Sequence, residues 1–143
     1  MDPDDAIIEL YAHVADLERD MRYADASDAL LVLADAEEER GDTGAASGLR
    51  DDALRNYVTA WARQRWPQEE IHIHDVEFRP DFPKRRSRVD LRIRRGPRSA
   101  PAWALVTVGR RGDVRLEYNP YRDAERAFRR RGWRHTSNPG GES

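Results

Sequence analysis

The sequence predicts an α+β fold, with three N-terminal helices packed on a four-stranded antiparallel meander that is followed by a C-terminal helix. Two observations carry this. Apolar side chains recur every three or four residues as far as Trp66, then every second residue from Ile71 to Tyr118. The period-two segments are also joined by connections too short for a crossover helix, which favours antiparallel neighbours. At 143 residues the chain has the size of one domain and should bury roughly 68–70% of its unfolded surface. The expected layout is a single domain over residues 1–135. An acidic helical layer occupies 1–66, a basic sheet plus helix occupies 71–135, and a disordered tail covers 136–143.

Each element has its own signals. Asp2 as N-cap, Pro3 at the first helical position, and Asp4 and Asp5 in the first turn start a helix. Ile7, Leu10, Val14, Leu17, Met21 and Ala24 form one apolar stripe, so this helix is expected over about residues 3–23. A break near Asp25 to Ser27 leads to a second helix ended by Gly41. A third begins between Thr43 and Ser47, carries Leu49, Ala53, Leu54, Tyr57, Val58 and Trp61, and stops before Pro67. "LLVLADAEEERGDTGAASGLRDDAL" resembles one tetratricopeptide hairpin: Leu30, Leu33, Ala34, Ala46 and Ala53 hold its small and apolar positions, and Gly41-Asp42 its turn. Glu37 and Arg50 stand where that family has aromatics, and no second copy follows. A solenoid needs about three repeats, so an antiparallel helix pair is expected, not an array.

Four strands follow: "IHIHDVEF" (71–78), "RVDLRIRR" (88–95), "AWALVTV" (102–108) and "DVRLEY" (113–118). "GRRGD" (109–113) closes a hairpin between the last two, and the prolines of "RPDFPKRRS" forbid regular structure between the first two. "YRDAERAFRRRGW" then gives the last helix, ended by Gly132. The stretch "VGRRGDVRLEYNPYRDAERAFRRRGW" is loosely similar to the end of WGR domains at Gly109, Arg110, Gly112, Ala124, Ala127, Phe128, Gly132 and Trp133. Val108 stands in place of that family's tryptophan, and so short a likeness assigns no family.

Composition excludes several function classes. No cysteine is present, which removes disulfides, thiolate metal sites and cysteine nucleophiles and fits a reducing compartment. "MDPDDAIIEL" has no basic n-region or long apolar run, and no window approaches eighteen apolar residues, so no membrane association is expected and a cytoplasmic location is. Phosphate loops, nucleophile elbows and His-Glu-x-x-His are missing, so a non-enzymatic protein without cofactors is expected.

The net charge of −2 conceals a polarity: residues 1–70 carry 18 acidic and 7 basic side chains, residues 71–143 carry 9 and 18. Such asymmetry suggests a charged partner. All basic residues but Lys84 are arginines, including those in the acidic half. The preference therefore reads as codon bias, and position is more informative than abundance. On the second strand Val89, Leu91 and Ile93 share one face, and Arg88, Asp90, Arg92 and Arg94 the other. On the fourth, Val114, Leu116 and Tyr118 are expected on the core side. Arg85, Arg86, Arg92, Arg94, Arg110, Arg111, Arg130 and Arg131 are the expected phosphate contacts of a DNA- or RNA-binding surface. Stacking aromatics of the RNA-recognition-motif type are expected to be absent from that face. The competing reading is that Asp75, Glu77, Asp90 and Glu117 pair with the arginines and give an ordinary charged sheet.

Two further candidates remain. His72 and His74 alternate onto one strand face, a geometry able to hold a metal with His135, Asp75 or Asp90 as third ligand. They share that face with Val76 and Phe78, so partly buried histidines are expected and no metal. The acidic run 35–40 with Asp28 could dock a basic protein partner, as in an immunity, antitoxin or regulatory accessory protein.

Overall fold

The computed structural model describes residues 2–78, 86–121, 125, 126, 128 and 129. In chain order the elements are α1 (Pro3–Arg19), α2 (Tyr23–Glu39), α3 (Thr43–Arg65), β1 (Ile71–Phe78), β2 (Arg86–Arg95), β3 (Arg98–Val108) and β4 (Val114–Tyr118). Three helices and a four-stranded antiparallel sheet in the order β1-β2-β3-β4 make the fold α+β. The chain divides into two compact units, residues 1–64 and 65–143. The expected C-terminal helix falls largely outside the described residues, and the tail 136–143 does so entirely.

In the first unit the helices begin at residues 3, 23 and 43. Asp2 caps α1 by accepting from the Asp4 amide, and Asp42 caps α3 by accepting from the Ala45 amide. Both α1 and α2 end in a Schellman motif. After α1 the Arg22 amide donates to the Leu17 carbonyl and the Met21 amide to that of Glu18; after α2 the Asp42 amide donates to Glu37 and the Gly41 amide to Glu38. The residue in the left-handed conformation is Met21 in the first motif, φ 60°, and Gly41 in the second, φ 88°.

The first helix therefore stops earlier than the apolar stripe predicts. Met21 is a turn residue, 59% exposed, and the break falls at residues 20–22 instead of 25–27. Hydrophobic spacing continues through the turn and hides it. Ile7, Val14, Leu30, Leu33, Ala34, Ala46, Leu49 and Ala53 close one core shared by the three helices. The buried Ser27 hydroxyl is satisfied by donating to the Ala53 carbonyl at 2.7 Å.

In the second unit β2 alternates strictly: Ser87, Val89, Leu91 and Ile93 are buried, and Arg86, Arg88, Asp90, Arg92 and Arg94 face the other way. β3 begins four residues before the expected start, and its Ala100, Ala102, Ala104, Val106 and Val108 complete the buried face. Pro101 sits within β3 opposite Arg92. It is tolerated because β4 pairs only with Leu105 to Val108, leaving β3 an edge at Pro101 on that side.

Two bulges correct the simple alternation. The register of β1 shifts between Ile73 and Asp75, so Ile71, Ile73 and Val76 share the core face and Asp75 and Glu77 the open one. His72 and His74 are consequently not sheltered with Val76 on that core face. The second shift lies between Leu105 and Val106. There Glu117 is the extra residue, and Tyr118, expected on the core side, is carried to the open face opposite Leu105.

The two Schellman motifs give a matched test. Met21→Gly removes a side chain from a conformation that costs roughly 1–2 kcal/mol for an L-residue, against about 0.5–1 kcal/mol of added chain entropy. It is expected to raise the urea midpoint slightly, whereas Gly41→Ala, with open space around it, lowers stability by about 1 kcal/mol at unchanged m-value.

Candidate functional site

The open face of the sheet carries the candidate site, because burial of the opposite face sends every second β2 residue there. Along β2 lie Arg86, Arg88, Asp90, Arg92 and Arg94; across from them on β3 lie Thr107, Leu105, Trp103, Pro101 and Ser99. Arg115 stands opposite Thr107 on β4. The face is arginine-rich, but its cations fall into two classes.

The first class is committed to neighbouring groups. Arg86 is ion-paired with Glu117 at 3.0 Å, and both side chains are about three-quarters buried. Glu117 also accepts from the Thr107 hydroxyl, so the bulge residue ties β4 to β3 and neutralises Arg86. Arg88 donates to Asp90 at 2.9 Å, and its guanidinium lies 5.0 Å over the Trp103 ring. These are the cross-strand and same-strand pairs of an ordinary charged sheet, Arg88–Asp90 near its centre and Arg86–Glu117 toward the β3–β4 loop.

The second class is exposed and has no carboxylate partner among the described residues. Arg94 and Arg92 lie toward the β2–β3 hairpin, Arg92 donating to the Ser99 hydroxyl at 3.1 Å. Arg110 and Arg111 project from the β3–β4 loop, at the opposite end of the sheet, with Arg115 beside it. That loop is shaped by a Gly109 amide donating to the Asp113 carbonyl at 2.7 Å. A Cβ on Gly109 would collide with the Asp113 carboxylate. Eight strand residues separate Arg86 from Arg94, roughly 26 Å, so the exposed cations bracket the face. Arg85, Arg130 and Arg131 lie outside the described residues.

Between the two groups sits a feature that periodicity does not reveal. Trp103 and Tyr118 stack with ring centroids 4.2 Å apart and planes 6° from parallel, both half-buried on the open face. Trp103 is legible in the sequence, since it alternates outward from Ala102 and Ala104. Tyr118 is not, because only the bulge brings it there.

Arg95 and Arg98, at the tip of the β2–β3 hairpin, have a different task. Both guanidinium groups lie 5.1 Å from the centroid of Phe128, Arg98 donates to the Phe128 carbonyl, and Arg95 pairs with Glu125. Phe128 is buried. Tyr121, earlier in the chain, has its phenol pushed above the ordinary value, first by burial and then by the Glu70 carboxylate.

His72 and His74 meet edge to face at 4.7 Å, but among the described residues they join no group of three or more metal-ligating side chains. His135 lies outside those residues. Much of the acidic run is engaged by groups of the same helical unit. Asp35 and Glu38 both bind Arg50, and Glu37 is buried, accepting from the Tyr11 hydroxyl and from Arg40. No described helix is long and apolar enough to cross a membrane.

The division of the arginines is testable by stability alone. Arg98→Ala removes a cation–π contact worth roughly 0.5–1 kcal/mol and a hydrogen bond worth about 1 kcal/mol. It should lower the unfolding free energy by about 1–2 kcal/mol, whereas Arg110→Ala, exposed, should change it by under about 0.5 kcal/mol. Comparison of the chain with protein-family models, with curated proteins and with solved structures finds no match.

Proposed function

We propose that this protein is a non-enzymatic nucleic-acid-binding protein whose open sheet face contacts the polyanion mainly through its backbone. The observation that carries this reading is the set of exposed arginines Arg92, Arg94, Arg110, Arg111 and Arg115, grouped at the two ends of one sheet without carboxylate partners among the described residues. A guanidinium that is neither paired nor buried keeps its full charge and fork of donors for phosphate. Arg85, Arg130 and Arg131 extend the proposed contact set from the sequence. Arg86 serves it indirectly, since its charge is spent on Glu117. A cytoplasmic location belongs to the same proposal.

A second reading is a protein–protein module in which the helical unit docks a partner. It is favoured by the exposed apolar side chains Ile8, Leu31 and Val32, which are 64%, 46% and 57% accessible. The partly self-paired acidic run weighs against charge as that partner's attraction.

Filter binding of labelled DNA and RNA at two salt concentrations separates the readings. Affinity is expected to fall steeply with salt, and the double variant Arg110→Gln/Arg111→Gln should reduce the log–log slope by roughly 0.7–0.9 for each phosphate that it no longer neutralises. Retention of no nucleic acid at low salt would remove the proposal and leave the docking reading in front.

A further inference from the structure

We propose that the occupant of the open face is a single strand, with one or more unstacked bases held at the Trp103–Tyr118 pair and phosphates at the arginine groups on either side. This deepens the nucleic-acid reading above and rests on it. Three observations point to a single strand and not a duplex.

The first is the placement of the aromatic pair. Trp103 lies opposite Asp90, at the midpoint of β2, so it stands between the Arg92–Arg94 group and the Arg110–Arg111–Arg115 group. A duplex keeps its bases stacked internally and offers phosphates to a protein face, so it gains nothing from rings set between cations. A single strand offers both groups, and base–aromatic stacking between phosphate contacts is how such strands are commonly held.

The second is the electrostatic pattern along the face. Its centre is neutralised by the Arg88–Asp90 pair and Glu117 takes up Arg86 toward the β3–β4 loop, while Arg92 and Arg94 at one end and Arg110, Arg111 and Arg115 at the other have no carboxylate partner among the described residues. Charge is therefore available where a strand's backbone would pass at each end, and withheld where its bases would sit. A continuous row of unpaired arginines, suited to a duplex backbone, is not what the sheet presents.

The third is Arg88 itself. Its planar guanidinium already lies over the Trp103 ring at 5.0 Å, held there by Asp90. A nucleobase is likewise planar and polarisable, so it can take that place. Arg88 would then be released toward a phosphate, making stacking and charge contact one coupled event. Tyr118, parallel to Trp103 at 4.2 Å, keeps the indole upright while this exchange occurs.

The test uses the full chain and fluorescence anisotropy of a labelled oligothymidine of about 12 nucleotides, within the usual site sizes for such surfaces, alongside a duplex of equal length at the same low salt. Wild-type protein should bind the single strand at least tenfold more tightly. Trp103→Leu should weaken single-strand binding roughly 5- to 150-fold, the value of one stacked base, with the salt slope lowered by no more than the roughly 0.7 of the one coupled Arg88 contact, and Trp103→Phe should restore much of it. Circular dichroism establishes that each variant is folded, and the wild-type comparison of strand against duplex decides the matter without any variant. Equal or tighter duplex binding, or a folded Trp103→Leu that binds like wild type, would overturn the inference while leaving salt-dependent nucleic-acid binding intact. Binding of neither polymer at low salt would overturn this inference and the function it rests on together.

Discussion

Everything about the sheet follows from one constraint: the side chains of β2 can point only two ways, and one of those ways is fully committed to burial. Val89, Leu91 and Ile93 leave water alongside the alanines and valines of β3, and fully burying each large aliphatic is worth roughly 1.5–3 kcal/mol. Shifting the register by one residue would exchange those aliphatics for Arg88, Arg92 and Arg94 and place unpaired guanidinium groups in the core. The arginines are thus held on the open face by the cost of any other arrangement, whatever use is made of them there.

The bulges then decide what kind of face it is. Strict alternation through β1 and β4 would have left the open side with histidines and valine at one edge and no tyrosine at the other. One extra residue in each edge strand turns Val76 inward and Tyr118 outward, and Glu117, the residue that makes the second bulge, also neutralises Arg86. A local irregularity in the backbone therefore sets both the aromatic content and the charge pattern.

This explains which parts are legible in the sequence. The helices, the β2 alternation and the β3–β4 loop follow from periodicity and turn residues, so they are readable within a few positions. The α1–α2 turn is hidden because Met21, an apolar residue in register with the stripe before it, occupies a left-handed position that glycine takes at the equivalent point after α2. The two bulges have no sequence signature comparable to a glycine or proline. The fate of individual arginines is equally hidden: Arg86, Arg94, Arg95 and Arg98 look alike in "KRRSRVDLRIRRGPR", yet one pairs with Glu117, two grip Phe128 and one is exposed without an acidic partner among the described residues. Such outcomes depend on residues 30 or more positions away, which periodicity does not encode.

The grip of Arg95 and Arg98 on Phe128 has a consequence for the charge of the hairpin tip. While the ring and the Phe128 carbonyl are in place, two cations are screened and immobilised beside a buried aromatic. A chain clipped ahead of Glu125 would lack that cover and the Arg95 ion pair, and both guanidinium groups would join Arg92 and Arg94 as free positive charge at the same tip. Shortening the protein there would leave more uncompensated positive charge at the tip, which Glu125 and Phe128 otherwise cover like an insulating sleeve.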